Sequence, residues 1–201
     1  MGNRPRVNDR GDILFGRWHY KNGETRPIVW EKKGELGDSY ILVSKKVVDY
    51  RPYHHHGNGL VKYKDSDLRR WLNSEFYNGA FTNEEKQVIE STSVYISADD
   101  EYVSDYVYLL TEKQVNDYYK TNEDRVKHAR PYVYETSTGY SGNEDQYGFA
   151  YWLRDYFKYD FGDTSSFSFV NYDGTIWHRF TRDQKRGVVP VIRIKKSSLI
   201  Y

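Results

Sequence analysis

The chain has no cysteine and a single methionine in 201 residues. The first absence removes disulfides, thiolate metal sites and a thiol nucleophile together. It also suits a reducing compartment, so a cytoplasmic location is expected. Long apolar runs are missing as well. No segment approaches the roughly 18 consecutive apolar residues of a membrane span, and the polar start from Met1 to Arg10 lacks the apolar core of a signal peptide. Gly2 does not open a myristoylation site, because that motif wants Ser or Thr where Arg6 stands. Neither sign of charge is in excess: 30 Lys and Arg stand against 29 Asp and Glu, a formal net charge of +1. The field of the whole molecule therefore gives no reason to expect nucleic acid or a membrane as partner.

What the chain has is aromatic surface. Phe, Trp and Tyr make up 17% of it, with 21 tyrosines, so the core is expected to be built from rings that each bury about 150–250 Å². The length fits one ordinary domain able to bury roughly two-thirds of its unfolded surface. The reading divides the chain into an N-terminal extension over 1–12, a single domain over 13–196 and a tail over 197–201.

Turn chemistry punctuates the chain. Asn22-Gly23 separates Ile13 to Trp18 from Pro27 to Glu31, and a second turn at Gly34 to Asp38 leads into Tyr40 to Ser44. Residues 13 to 50 therefore read as a three-stranded antiparallel meander. Asp65-Ser66-Asp67 can cap a helix with Leu68, Trp71, Leu72 and Phe76 at helical spacing, which Gly79 would break. Thr82 to Glu85 is a capping box for a following helix that turns Val88 and Ile89 inward. Tyr106 to Leu110 reads as a strand, and Thr111 to Gln114 is a second capping box leading into Val115, Tyr118 and Tyr119. Glu135 to Gly148 has loop composition. Alternating Ser166-Phe167-Ser168-Phe169, the turn Tyr172-Asp173-Gly174, and Thr175-Ile176-Trp177 predict a late hairpin. The last run, Val188 to Lys195, reads as one strand; Pro190 cannot donate to a ladder, so the strand is expected at a sheet edge or with that N–H position unpaired. Ser197 to Tyr201 would then cover that edge or mediate self-association.

Two stretches invite chemistry. His54-His55-His56-Gly57-Asn58-Gly59 could contribute to a zinc or copper site, yet the third and fourth ligands that such a site needs have no supporting helical His or Glu pattern. A solvated loop is the plainer reading. Residues 132 to 183 mix Tyr, Ser, Gly and Asn with Trp and Arg, a composition suited to recognition: the rings give large contact area with few rotors, and the small polar residues adapt their hydrogen bonds. The expected ligand-binding residues are Tyr140, Tyr147, Tyr172, Trp177, His178, Arg179, Phe180 and Arg182. Against this, Trp152 and Trp177 could simply fill the core. Arg154 and Asn171 read as structural, the first pairing with a carboxylate or carbonyls and the second holding the turn.

Phe15-Gly16, Pro27-Ile28-Val29-Trp30, Leu42 to Lys45, Arg51-Pro52-Tyr53, Asp65 to Asn73, Phe81, Val107 to Leu110, Trp152-Leu153-Arg154, Val170 to Ile176 and Gly187 to Ile192 together resemble an uncharacterised bacterial and phage domain family of unknown function. That family is similar to the C-type lectin-like fold, in the variant shared with formylglycine-generating enzymes. The likeness runs over roughly 13 to 195, with departures at Val189, where Arg is usual, and at Asp155, where Ser-Pro is common. It implies an α+β, C-type lectin-like fold with antiparallel sheets and two to three flanking helices. Relatives of this fold include diversified ligand-binding proteins that vary exposed residues near their last strands. The enzymes' chemistry does not follow, because their copper-binding cysteine pair is absent, and so is the histidine triad of the related sulfoxide synthases. The sugar-binding tripeptides of calcium-dependent lectins are also absent, Val170-Asn171-Tyr172-Asp173 being a distorted echo. A calcium site through Asn171, Asp173, Asp160 and Asp163 would need six or more oxygens.

The expectation is thus a non-enzymatic module that recognises a protein or glycan, with no catalytic residue, metal or cofactor. The alternatives are a metal-dependent hydrolase using His54 to His56, or a phage-encoded inhibitor of a host defence protein.

Overall fold

Asn22 and Gly23 both carry positive φ, +50° and +77°, the pair of left-handed residues that a two-residue hairpin turn of the I′ kind requires. The turn joins β2 (Ile13–Lys21) to β3 (Glu24–Leu36), and β4 (Ser39–Ser44) pairs with β3. The computed structural model describes residues 4–55, 61–137, 148–159, 164–179 and 184–201. The expected meander is present, but it ends at Ser44. The next strand, β5 (Asp49–Pro52), belongs to a different sheet. Within the first twelve residues, β1 (Arg6–Val7) pairs with β2 and begins a six-stranded antiparallel sheet. The other members of that sheet are β8 (Val107–Tyr108) and β13 (Val191–Lys195), in the order β1-β2-β3-β4-β13-β8.

The second sheet has the order β11-β10-β9-β12-β5, with β9 (Tyr151–Tyr159), β10 (Thr164–Val170), β11 (Ile176–Arg179) and β12 (Lys185–Val188). The late hairpin is β10 and β11, with Phe169 opposite Trp177. All pairings here are antiparallel except β9 with β12, which run parallel at Gly187 and Tyr151. The final run is therefore two strands. It leaves the five-stranded sheet at Val188 and enters the six-stranded one at Val191, where β13 sits inside, between β4 and β8. Pro190 marks the crossing. It lacks an N–H to give, but its carbonyl accepts from the Ser44 N–H at 3.0 Å. The tail covers the β1 edge instead, through Val7 N–H to Ile200 carbonyl and Ile200 N–H to Pro5 carbonyl.

The helices are more numerous and shorter than expected. Ser66, rather than either neighbouring aspartate, caps α1 (Asp67–Trp71), its side chain accepting from the Arg69 N–H. The helix continues through a π-helical stretch (Leu72–Phe76) into α2 (Tyr77–Ala80), and its buried ring Trp71 meets Trp18 of β2 edge-on. The Thr82 and Thr111 capping boxes both form, opening α3 (Asn83–Lys86) and α4 (Glu112–Tyr118). The first of these is a single turn, after which Ile89 is buried and Val88 only partly so. Two more helices, α5 (Asn122–Arg125) and α6 (Pro131–Thr136), take up sequence with no clear periodicity, and α6 claims the start of the expected loop. A small hairpin of β6 (Thr92–Ile96) and β7 (Glu101–Asp105) stands apart, with Val94 and Ile96 turned inward.

The strand expected over Tyr106 to Leu110 is cut to Val107–Tyr108 by Arg154. That residue's N–H donates to the Leu110 carbonyl at 2.8 Å, and its guanidinium donates to the Leu109 carbonyl at 2.7 Å. Two carbonyls that would extend a ladder are thereby taken. The architecture is mixed α+β, with antiparallel sheets, few helices and an aromatic core in which Trp30, Trp152, Tyr53, Tyr63 and Phe167 are fully buried.

Candidate functional site

Trp152 fills the core, but Trp177 does not: it is 44% exposed, while Trp18, Trp30, Trp71 and Trp152 are all buried. An exposed indole usually turns freely. This one is held. Its Nε1–H donates to the Thr175 hydroxyl at 2.9 Å, that hydroxyl donates to Asp173 Oδ1 at 2.6 Å, and the same carboxylate oxygen accepts the Thr175 N–H at 3.0 Å. The Thr175 hydroxyl, more than anything else, holds the Asp173 carboxyl below the usual range, so the chain of bonds is intact at neutral pH.

The turn carrying Tyr172 is clamped in turn. Asn171 N–H donates to the Thr175 carbonyl, Gly174 N–H to the Asn171 carbonyl, and Gly148 N–H to the Tyr172 carbonyl. Gly174, at φ +82°, lies against the Asn122 backbone of α5. Trp177 and Tyr172 open onto a groove of about 310 Å³. Its other walls are Tyr50 of β5, Phe149 and Ala150 leading into β9, Phe169 and Asn171 from β10 and its turn, and Lys185 and Arg186 of β12. Tyr50 and Phe149 meet edge-on, with centroids 5.3 Å apart. The Arg186 guanidinium lies 3.9 Å from the Phe169 ring centre and 4.8 Å from that of Trp152, close enough for cation–π attraction.

Of the expected binding residues, Tyr172 and Trp177 share this groove. His178 lies next to Trp177 on an extended strand, so it faces the opposite side of the sheet. There its Nδ1 is 3.1 Å from Ser168 Oγ and 3.3 Å from Glu112 Oε1, while Ser168 donates to the same Glu112 oxygen at 2.6 Å. Serine, histidine and carboxylate side by side suggest a nucleophilic triad, but the geometry differs. Hydroxyl and carboxylate converge on one ring nitrogen, whereas a relay places them on two, and Ser168 is fully buried. Arg179 takes its backbone place in β11. Tyr140, Tyr147, Phe180 and Arg182 lie outside the described residues, as do Asp160 and Asp163 of the calcium reading.

His54 and His55 both approach Asp67, their Nδ1 atoms 3.2 and 3.6 Å from its Oδ2, and His56 is outside the described residues. Among the described residues no three His, Cys, Asp or Glu gather as a metal-holding group. A larger cleft of about 560 Å³ is lined by Lys21, Lys46, His128, Pro131, Tyr134 and Glu135, three long flexible charged side chains beside two aromatic rings.

A family model described as a domain of unknown function, DUF6273, matches residues 37–196. The chain belongs to the DUF6273 family. The DUF6273 segment holds every groove residue from Tyr50 to Arg186 and leaves outside it β1, β2 and β3, although these form half of the larger sheet. No curated protein and no solved structure matches the chain. Among its described residues no helix is long and apolar enough to cross a membrane.

Sequence reasoning missed Tyr50, Phe149, Lys185 and Arg186. The only local signal for any of them is the aromatic character of Tyr50 and Phe149, which this chain shows throughout.

The held indole makes a testable claim. Thr175→Val is expected to lower stability by only about 1 kcal/mol, the net worth of an ordinary hydrogen bond, while raising the quenching of tryptophan emission by acrylamide. Since the other four tryptophans are buried, quenching reports on Trp177, and unchanged quenching would mean that Thr175 does not hold the ring.

Proposed function

We propose that this DUF6273 domain is a non-enzymatic binding module of C-type lectin-like type, recognising a protein or glycan through the Trp177 groove. One observation carries the reading: an exposed tryptophan whose ring is fixed from behind by Asp173 and Thr175, at the mouth of a groove it shares with Tyr172. A ring fixed before the ligand arrives loses little rotamer freedom on binding, which is how preorganised sites gain affinity. Recognition here is by shape and aromatic contact, with no bond made or broken. A cytoplasmic setting is consistent with the lack of cysteine.

The test begins with a glycan array and affinity capture from lysate, using the intact chain. Trp177→Ala and Tyr172→Ala should each weaken a captured ligand by about 2 kcal/mol or more, the range of interface hot spots. Melting temperature should hardly move, because both side chains are exposed. A ligand that binds the double variant as tightly as the parent would remove the groove from its recognition.

A further inference from the structure

The capping boxes that open α3, α4 and α5 differ in what stands at the third helical position: Glu85 after Thr82, Gln114 after Thr111, and Asp124 after Thr121. All three do the same work, accepting the N–H of the capping threonine. A neutral glutamine suffices at Thr111, and the aspartate of the Thr121 box is exposed to water. Of the three, only Glu85 sinks a charge into the protein, at 4% exposure. A carboxylate is rarely buried so deeply without a cation beside it. Here there is none: Glu85 forms no ion pair with a described residue, and the ammonium of neighbouring Lys86 is given to Asn78 Oδ1 at 2.9 Å. Capping does not explain the buried charge.

The second oxygen shows where that charge is offered. Glu85 Oε2 is taken by the Thr82 N–H at 2.8 Å, whereas Oε1 accepts no hydrogen bond among the described residues and is not sealed from solvent. It opens on a cleft of about 330 Å³ between the β2–β3 hairpin and the turn from α2 to α3, lined also by Arg17, Thr25, Asn78, Phe81 and Thr82. Arg17 brings the opposite charge. Its Nη2 donates to the Thr25 carbonyl at 2.6 Å, which orients the guanidinium, while its Nη1 makes no hydrogen bond and no carboxylate pairs with it among the described residues. Arg17 and Glu85 therefore line one cleft without pairing with each other.

We propose that this cleft binds a small zwitterion, with its ammonium group on Glu85 and its acid group toward Arg17. A bare cation would meet the guanidinium, and a bare anion would meet the carboxylate; a molecule carrying both charges satisfies both walls. The volume suits a compact molecule, lying at the lower end of the roughly 300 to 1,000 Å³ of small-molecule sites. The walls are also set in advance. Gly16, at φ +64°, lies so close to the end of α2 that a Cβ there would stand 2.4 Å from the Phe81 ring and 2.9 Å from the Ala80 carbonyl oxygen. This cleft shares no residue with the Trp177 groove, so the two proposals stand or fall separately.

The intact, isotope-labelled protein is titrated with alanine, γ-aminobutyrate, n-butylamine and butyrate, followed through the amide resonances of Gly79 to Thr82 and by ligand-observed NMR. The two zwitterions cover a short and a long spacing of charges. At least one should saturate, with butylamine and butyrate each at least about tenfold weaker, as loss of one charge-assisted contact implies. Glu85→Gln keeps a side chain able to cap, as Gln114 does in its own box. Its melting temperature should therefore hold or rise, while the zwitterion binds at least about tenfold more weakly. Arg17→Gln, at an exposed position, should weaken the zwitterion similarly and leave butylamine no weaker. The proposal is overturned if neither zwitterion binds, if butylamine or butyrate binds as tightly as the zwitterion, or if Glu85→Gln leaves affinity unchanged. Should Glu85→Gln fail to fold, Arg17→Gln decides alone, and unchanged zwitterion affinity in that variant overturns the proposal.

Discussion

Gly174→Ala is expected to destabilise the protein by about 3–5 kcal/mol, in the range where single substitutions become exceptional. Two effects add. At φ +82° the residue is left-handed, which for a side-chain-bearing residue costs about 1–2 kcal/mol. The new Cβ would also lie 2.5 Å from the Asn122 carbonyl carbon, and closer still to its oxygen. These are backbone atoms of α5 and cannot swing aside as a side-chain tip can. Gly23→Ala separates the two effects, because Gly23 has a similar φ of +77° and nothing within 4 Å of the added carbon. It should lose only the conformational part, about 1–2 kcal/mol. In urea titrations the two variants should therefore differ clearly. Equal losses would mean that the Tyr172 turn is not pressed on α5, and the clamped groove would lose its main support.

The second large effect concerns an ion pair set beneath the groove. Lys127, nearly fully buried, forms a salt bridge with Glu31 of β3, which also receives the Lys33 ammonium at 2.9 Å and the Tyr119 hydroxyl at 2.9 Å. The Lys127 carbonyl accepts the Phe149 N–H at 2.7 Å, so this pair anchors a groove wall. Burial pulls the Lys127 pKa below its ordinary 10.5 despite Glu31. For Glu31, burial works to raise the pKa, but Lys127 and Lys33 together hold it below the ordinary 4.5.

Glu31→Gln strands the buried ammonium and should cost about 3–5 kcal/mol near neutral pH, the measured range for removing one member of a buried pair. Between the depressed pKa of the folded state and 10.5, the unfolded chain holds a proton that the folded chain lacks, so stability rises with pH there. The variant should accordingly recover part of its loss as pH approaches that value. In the parent, the Glu31 contribution is full above pH 4.5 and is lost as pH falls through its lowered value. Glu31→Gln with Lys127→Met should regain much of the loss, since removing both charges is often nearly neutral. A Glu31→Gln variant of parental stability would show that Lys127 finds water or another acceptor.

Local chemistry was legible in the sequence wherever a backbone group needs a particular neighbour. Asn22-Gly23, the Thr82 and Thr111 capping boxes and the Asp173-Gly174 turn all formed where their residue types demanded. The β6–β7 hairpin carried a readable alternation in Thr92 to Ile96 that the turn signals did not advertise. Sheet membership was not legible, because a period of two tells which side a residue faces and not which sheet it joins. That is why Val188 to Lys195 read as one edge strand. The same period separates Trp177 from His178, which composition had grouped. The groove was legible by half: Tyr172 and Trp177 lie beside a visible turn, but Tyr50 and Arg186 reach it only through the pairing of β5 with β12. Nothing in the order of residues brings those two strands together.

The passage of the last run from one sheet to the other works as a tie-bar between the layers. Lys185–Val188 hydrogen-bonds to β5, and after only Val189 and Pro190 the strand Val191–Lys195 is locked between β4 and β8. The wall bearing Arg186 cannot swing outward while β13 stays seated, and the stiff proline link at residue 190 leaves no slack between them. The wall bearing Arg186 is thereby tied to both layers, so the width of the recess depends on how the two sheets are packed.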